Sequence, residues 1–215
     1  VYNIRLIGGD TTSNVGPVVL TLTLTGETFD LHGPVRRTGA QPGHDVWVTG
    51  TIGDACLGLE FPDAQDEPGA SLNARYLVPE LVHPEFAEVI ARYALSAMDV
   101  SDGLISDAGH IAAASAVQLI LKVEQVPLSD ESRAVLQADG SPFAIRNLLT
   151  GGDDYQVLFT TPEDHREALL IDARHLNQKI TRIGTVEAGR GVTCLLQGED
   201  VSETLTGGWK HKLSS

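Results

Sequence analysis

The chain has 215 residues, 42% of them hydrophobic, enough for one sizeable core or for one domain with a substantial piece of another. Its formal charge of −14, from 15 Lys and Arg against 29 Asp and Glu, repels a phosphate backbone, and 5% aromatic residues leave few stacking platforms, so a general nucleic-acid binder is excluded. No apolar run approaches the roughly 20 residues that span a bilayer, and Cys56 and Cys194 lack the spacing of a zinc or redox pair, so the expectation is a cytoplasmic protein with reduced thiols and no membrane partner.

In chain order, Val1 to Ile7 reads as a strand, and Val18 to Thr25 passes from an apolar start into strict alternation with β-branched residues, a half-buried strand stopped by Gly26. Because the sequence opens on Val1, inside a strand, an N-terminal part is expected to be absent. Arg36 to Gly43 is rich in turn residues and reads as an exposed connection to a strand at Asp45 to Thr49, closed by Gly50. Pro62 to Gly69 is a loop, followed by a helix at His83 to Leu95 and a short strand at Leu95 to Val100. Leu104, Ile105, Ala108, Ile111, Ala112 and Ser115 fall at helical spacing and bury one face against a sheet. Strands at Gln118 to Glu124 and Tyr155 to Thr160 and helices at Asp130 to Gln137 and Glu163 to Leu176 follow. Ile180 to Val186 and Val192 to Gln197 read as a hairpin around Ala188 to Gly191. Helices and strands are interspersed without even alternation, which predicts an α+β fold with mixed sheets packed against helices.

Three clusters can carry chemistry. Gly8-Gly9-Asp10-Thr11-Thr12 follows the first strand, so it is either an ordinary turn or a point of close backbone approach where Asp10 offers the hard oxygens that Mg²⁺ prefers. Asp99-Val100-Ser101-Asp102-Gly103 lies between a strand and a helix N-terminus, where amides and dipole favour an anion, two carboxylates can hold metal ions, and Ser101 can cap the helix or donate to a phosphate. Gly151-Gly152-Asp153-Asp154-Tyr155 is a tight turn or a pair of carboxylates set toward a cationic ligand. Arg37 is either a phosphate clamp or a solvated loop residue, and Trp209 either stacks on a ligand or anchors the C-terminus. His83, His110 and His165 have no His or Cys at ligand spacing and are assigned core or surface roles. Neither a Walker loop nor a His-Arg-Asp catalytic loop is present.

Taken in order, these clusters, with Arg37-Thr38-Gly39-Ala40-Gln41-Pro42-Gly43, Val48-Thr49-Gly50-Thr51-Ile52-Gly53-Asp54, the continuation Leu104-Ile105-Ser106-Asp107 and the terminal Gly208-Trp209, resemble thiamine-monophosphate kinases of the aminoimidazole ribonucleotide synthetase superfamily. The resemblance spans nearly the whole chain. It implies a two-domain synthetase-like architecture, with residues 1–33 a remnant of an N-terminal nucleotide-binding domain and 34–215 the C-terminal α+β domain. It also implies ATP-dependent conversion of thiamine monophosphate to thiamine diphosphate by direct in-line transfer, several Mg²⁺ ions, a homodimer and ATP bound across the domain junction. By position, Asp10, Asp99 and Asp102 are implied metal ligands, Gly9, Asp10, Arg37 and Ser101 nucleotide contacts, and Asp153 and Trp209 substrate contacts. The family usually has Glu where this chain has Asp153, and it normally begins with a further segment carrying more acidic ligands, so low activity is expected of this chain alone. The alternatives are another ATP-dependent enzyme of the superfamily acting on a purine precursor, and a non-catalytic ligand-binding or assembly domain.

Overall fold

The computed structural model describes residues 4–29, 33–139 and 144–205. Its centre is β1 (Asp45–Thr49), whose sequence DVWVT is buried at all five positions. Branched and aromatic side chains suit a pleated strand, and here both faces are covered: Val46 and Val48 enter one hydrophobic cluster and Trp47 a second. The further strands are β2 (Ser96–Val100), β3 (Gln118–Lys122), β4 (Gln156–Thr161), β5 (Ile180–Glu187), β6 (Gly191–Leu196) and β7 (Glu199–Asp200). They form one sheet in the order β2-β4-β1-β5-β3-β6-β7. Every neighbouring pair is antiparallel except β3 with β6.

Seven α-helices accompany the sheet among the described residues: α1 (Asp54–Gly58), α2 (Gly69–Leu77), α3 (Phe86–Tyr93), α4 (Leu104–Ser115), α5 (Asp130–Asp139), α6 (Ala144–Thr150) and α7 (Arg166–His175). Leu104, Ala108, Ile111 and Ala112 of α4 share the larger cluster with Val46, Val48, Val100, Leu119 and Leu158. Phe86 and Val89 of α3 and Leu169 and Ala173 of α7 pack with Trp47 and Phe159. Helices therefore cover both faces of the sheet, and the mixed α+β reading holds.

The β5–β6 hairpin does not form: the two strands lie in one sheet, but β3 is inserted between them, antiparallel to β5 and parallel to β6. Leu119 and Leu121 of β3 are buried there, and the Ala188–Arg190 link passes around the end of β3, with Gly189 so close to Gln118 that a Cβ would stand 2.6 Å from its side-chain oxygen. The strand expected at Val18 to Thr25 is likewise absent. These residues and 4–7 are exposed and outside any ladder. Alternation supplies an apolar face, but a strand also needs a neighbour for its backbone groups, and none lies beside this segment among the described residues. Residues 1–3, the rest of the first expected strand, lie outside the described residues. The α3 helix is shorter than expected because Pro84 precedes it and Ala94 is already extended, with ψ 135°.

Candidate functional site

Two loops interlock where β2 runs into α4. From β2, Ser101–Gly103 turns the chain into the helix; from α6, Gly151–Tyr155 leads into β4. Tyr155 N–H donates to Val100 O at 2.8 Å and Asp153 N–H to Ser101 O at 3.0 Å, carrying the β2–β4 pairing beyond the strands. The contact requires glycine. A Cβ on Gly152 would lie 2.1 Å from Ser101 O, and one on Gly103, where φ is 110°, would lie 2.6 Å from Thr150 O.

Asp107, in the first turn of α4 and fully buried, fixes the first loop. Its Oδ2 accepts the backbone N–H groups of Ser101 at 2.9 Å and Asp102 at 3.0 Å. Those two amides are thereby committed to a carboxylate inside the protein, so they are not the anion donors that the helix start suggested. The N-cap is Gly103, which leaves the Ser101 hydroxyl without a capping role. Burial pushes the Asp107 carboxyl above its ordinary range; the two amides oppose this, and the nearby charges of Asp102 and Asp99 add to it. Asp99 is exposed on β2 opposite Val157, and Asp102 is half-buried. The structure thus gathers Asp99, Ser101 and Asp102 around one strand-to-helix junction.

Asp153 borders a second feature, a cavity of about 220 Å³ with Thr51, Asp54, Arg75, Glu80 and Lys179 in its wall. Its backbone is left-handed, with φ 69°, and its Oδ1 accepts the Tyr155 hydroxyl at 3.1 Å. Behind it, buried Asp154 accepts the N–H groups of Gly53 at 2.8 Å and Ala55 at 3.4 Å, at the start of α1. Burial lifts its pKa to about 7 despite these two bonds, and the neighbouring Asp54 and Asp153 charges push the same way. Asp54 in turn accepts from Thr51, Ser129, Ser132 and Arg75, and Arg75 also pairs with Glu131 at 2.9 Å.

The other expected residues lie elsewhere. Gly9 and Asp10 are in the exposed segment 4–29, where the Asp10 carboxylate accepts only the adjacent Thr11 N–H at 2.8 Å among the described residues. Arg37 is exposed, and its carbonyl accepts the hydroxyl of Ser115, the last residue of α4, so Arg37 sits at the end of that helix opposite Asp102. Trp209 lies outside the described residues. The sequence reading missed the structural roles of Asp107 and Asp154. A carboxylate in a first helical turn is a visible signal for the former; for the latter the signal was only its place after two glycines.

Residues 41–197 match the family described as AIR synthase related protein, C-terminal domain. The thiamine-monophosphate kinase of Caulobacter vibrioides is 35% identical over 214 residues, which are 98% of this chain and 60% of that protein. The thiamine-monophosphate kinase of Escherichia coli K12 is 35% identical over 206 residues, 94% of this chain and 62% of that one. Among solved structures, the thiamine-monophosphate kinase of Stenotrophomonas maltophilia K279a superposes with a TM-score of 0.68 at 37% identity over 77% of this chain and 53% of that one. AaThiL complexed with AMPPCP and TMP does so with 0.69 at 35% identity over 83% and 54%. The chain thus spans about 60% of the length of these curated relatives. The hydrogenase maturation protein HypE of E. coli, at 18% identity and a TM-score of 0.57, shares the fold.

Proposed function

This chain belongs to the AIR synthase related family, and we propose that it serves in the ATP-dependent phosphorylation of thiamine monophosphate to thiamine diphosphate by direct in-line transfer. The observation that carries this reading is the interlock of the 101–103 and 151–155 loops, which holds Asp99, Ser101 and Asp102 at one junction and sets Asp153 beside a cavity. The likeness to relatives named thiamine-monophosphate kinases, and to AaThiL complexed with AMPPCP and TMP, supports the choice of substrates.

Phosphoryl transfer needs positioning and charge neutralisation more than covalent chemistry from the protein. The donor set fits divalent cations: Asp99 and Asp102 lie close to Asp107, whose Oδ1 is buried without a hydrogen-bond partner among the described residues, and clustered carboxylate oxygens are what Mg²⁺ takes. Mg²⁺ held by Asp99 and Asp102, with Asp10 supplied from the 4–29 segment, would neutralise charge on the phosphates. The Ser101 hydroxyl donates to a phosphate oxygen. Gly9 and Arg37, both exposed, are the further nucleotide contacts on this reading, Arg37 reaching it from the other end of α4. Asp153 faces the cationic thiazolium of the substrate, and Trp209 offers its indole face to the pyrimidine.

The same reading makes the protein a cytoplasmic homodimer, with residues 1–33 part of a nucleotide-binding domain separate from 34–215. No helix among the described residues is long and apolar enough to cross a membrane. The test is thiamine diphosphate formation from Mg-ATP and thiamine monophosphate in the protein at its natural length. Asp99→Ala and Asp102→Ala should each lower kcat by about 100-fold or more. Turnover unchanged in both would overturn the reading.

A further inference from the structure

The Asp107 carboxylate is used on one side only. Its Oδ2 takes the amides of Ser101 and Asp102, while Oδ1 is fully buried and has no partner among the described residues. A buried acceptor left open is costly, the more so when charged, so a group able to meet it stabilises the fold. Two further ligand side chains are at hand: Asp102, Asp107 and His110 each bring a carboxylate oxygen or imidazole nitrogen to within 4.8 Å of the others. Asp107 and His110 are three apart on α4 and therefore neighbours on one helix face. Asp102 is held over that face because its own N–H is bonded to Asp107.

We propose that Asp102, Asp107 and His110 form a binding site for one first-row divalent cation of the Mn²⁺ or Co²⁺ type, seated on the N-terminal turns of α4. Two carboxylates with an imidazole suit such ions better than Mg²⁺, which takes oxygen donors and retains its waters. Ligand atoms about 2.1 Å from one ion stand at most about 4.2 Å apart, so the separation of up to 4.8 Å has to close when the ion binds. His110 is exposed and Asp102 half-buried, which gives these two side chains room to close on the ion. Bound there, the cation ties the Ser101–Gly103 loop to the helix through side chains as well as amides. The site rests on the geometry of α4 and involves neither nucleotide nor thiamine phosphate, although it shares Asp102 with the phosphorylation reading.

The test is a Co²⁺ titration of the chain without nucleotide, followed by the visible absorption of the bound ion and by the NMR signals of the imidazoles. One equivalent should bind with His110 signals shifted and broadened. His110→Ala, a change at an exposed position, should weaken binding by at least about 10-fold and alter the spectrum, and Asp107→Asn should do the same. Wild-type affinity and spectrum in both variants, or an unperturbed His110 at saturation, would overturn the proposal. If the site behaves as expected while the protein at its natural length does not phosphorylate thiamine monophosphate, the functional reading fails and the cation site stands. If turnover is present but His110 does not respond to Co²⁺, the reverse holds.

Discussion

Gly152 lies so close to Ser101 that a methyl group in place of its hydrogen would sit 2.1 Å from the Ser101 carbonyl oxygen. That oxygen already accepts the Asp153 N–H, so neither loop can withdraw without losing the bond that joins them. Gly152→Ala is therefore expected to force the loops apart and destabilise the fold by about 1–3 kcal/mol, the usual cost of overpacking against an unyielding neighbour. Urea denaturation of the chain measures it. A midpoint within error of the wild type would mean that the interlock is looser than the geometry states.

Asp154 makes stability depend on pH with an unusual sign. In the folded protein burial holds its pKa near about 7, whereas the ordinary value is 3.8. Between these values the native state keeps a proton that the unfolded chain has released, so stability falls as pH rises, by up to about 1.4 kcal/mol per pH unit. Asp154→Asn has no proton to lose. The stability of the wild type minus that of the variant should decrease from pH 4 to pH 7 and then level off. Denaturation series at each pH give this difference, and one that stays flat or increases would show that the carboxyl is ionised throughout.

The elements legible in the sequence were those whose local pattern and tertiary surroundings agree. The buried run at Val46 to Val48 between turn residues, and the helical spacing of Leu104, Ala108, Ile111 and Ala112, each became an element facing the core. Where a pattern needed a distant partner, it misled. Val18 to Thr25 alternates as a strand does but has no ladder, and the β5–β6 hairpin was local logic overruled by the insertion of β3. The helices α1, α2 and α6 were not expected; Leu57, Leu72 and Leu148 are recognisable as a core only once the three helices meet. At the junction, Asp99, Ser101 and Asp102 could be seen as a cluster because they are adjacent. Asp107 was seen only as the end of a motif, since what distinguishes it, total burial and bonds to two amides, is a property of the folded loop. His110 has no His or Cys at ligand spacing in the sequence, yet its neighbours in the fold are carboxylates from the same helix and from the preceding loop.

Asp153→Asn separates charge from backbone at the proposed substrate contact. Asn tolerates the left-handed conformation that this residue holds at φ 69°, and it keeps an oxygen for the Tyr155 hydroxyl. Only the negative charge is removed. On the proposed reading, KM for thiamine monophosphate should rise about 10-fold with kcat within a factor of about 3, the mark of lost ground-state binding. Steady-state kinetics of the protein at its natural length, with Mg-ATP saturating, decide this; an unchanged KM would remove Asp153 from the substrate site.

Asp45, inside the sheet, offers a contrast to Asp154 in the loop before β4. It is buried at the start of β1, and Arg166 donates to it from Nε at 2.6 Å and from Nη2 at 2.9 Å, while Arg182 Nε approaches Oδ1. Burial alone would raise its pKa, but the hydrogen bonds and charges of Arg166 and Arg182 outweigh it and the value falls below the ordinary 3.8. Here the unfolded chain takes up the proton first as pH drops, so the stabilisation is complete above the unfolded value and is lost as pH falls through the folded one. The two guanidinium groups are each about one-third exposed, so water can replace part of what they lose. Asp45→Asn should consequently cost about 1–3 kcal/mol at pH 7, in the range of hydrogen bonds to charged groups and below that of a fully buried pair. The deficit should shrink as the pH is lowered from 5 toward about 2.5, because the wild-type carboxyl then becomes neutral as well. Urea midpoints of the two proteins across that interval measure it, and a deficit independent of pH would mean that Asp45 contributes through its shape and packing rather than through its charge.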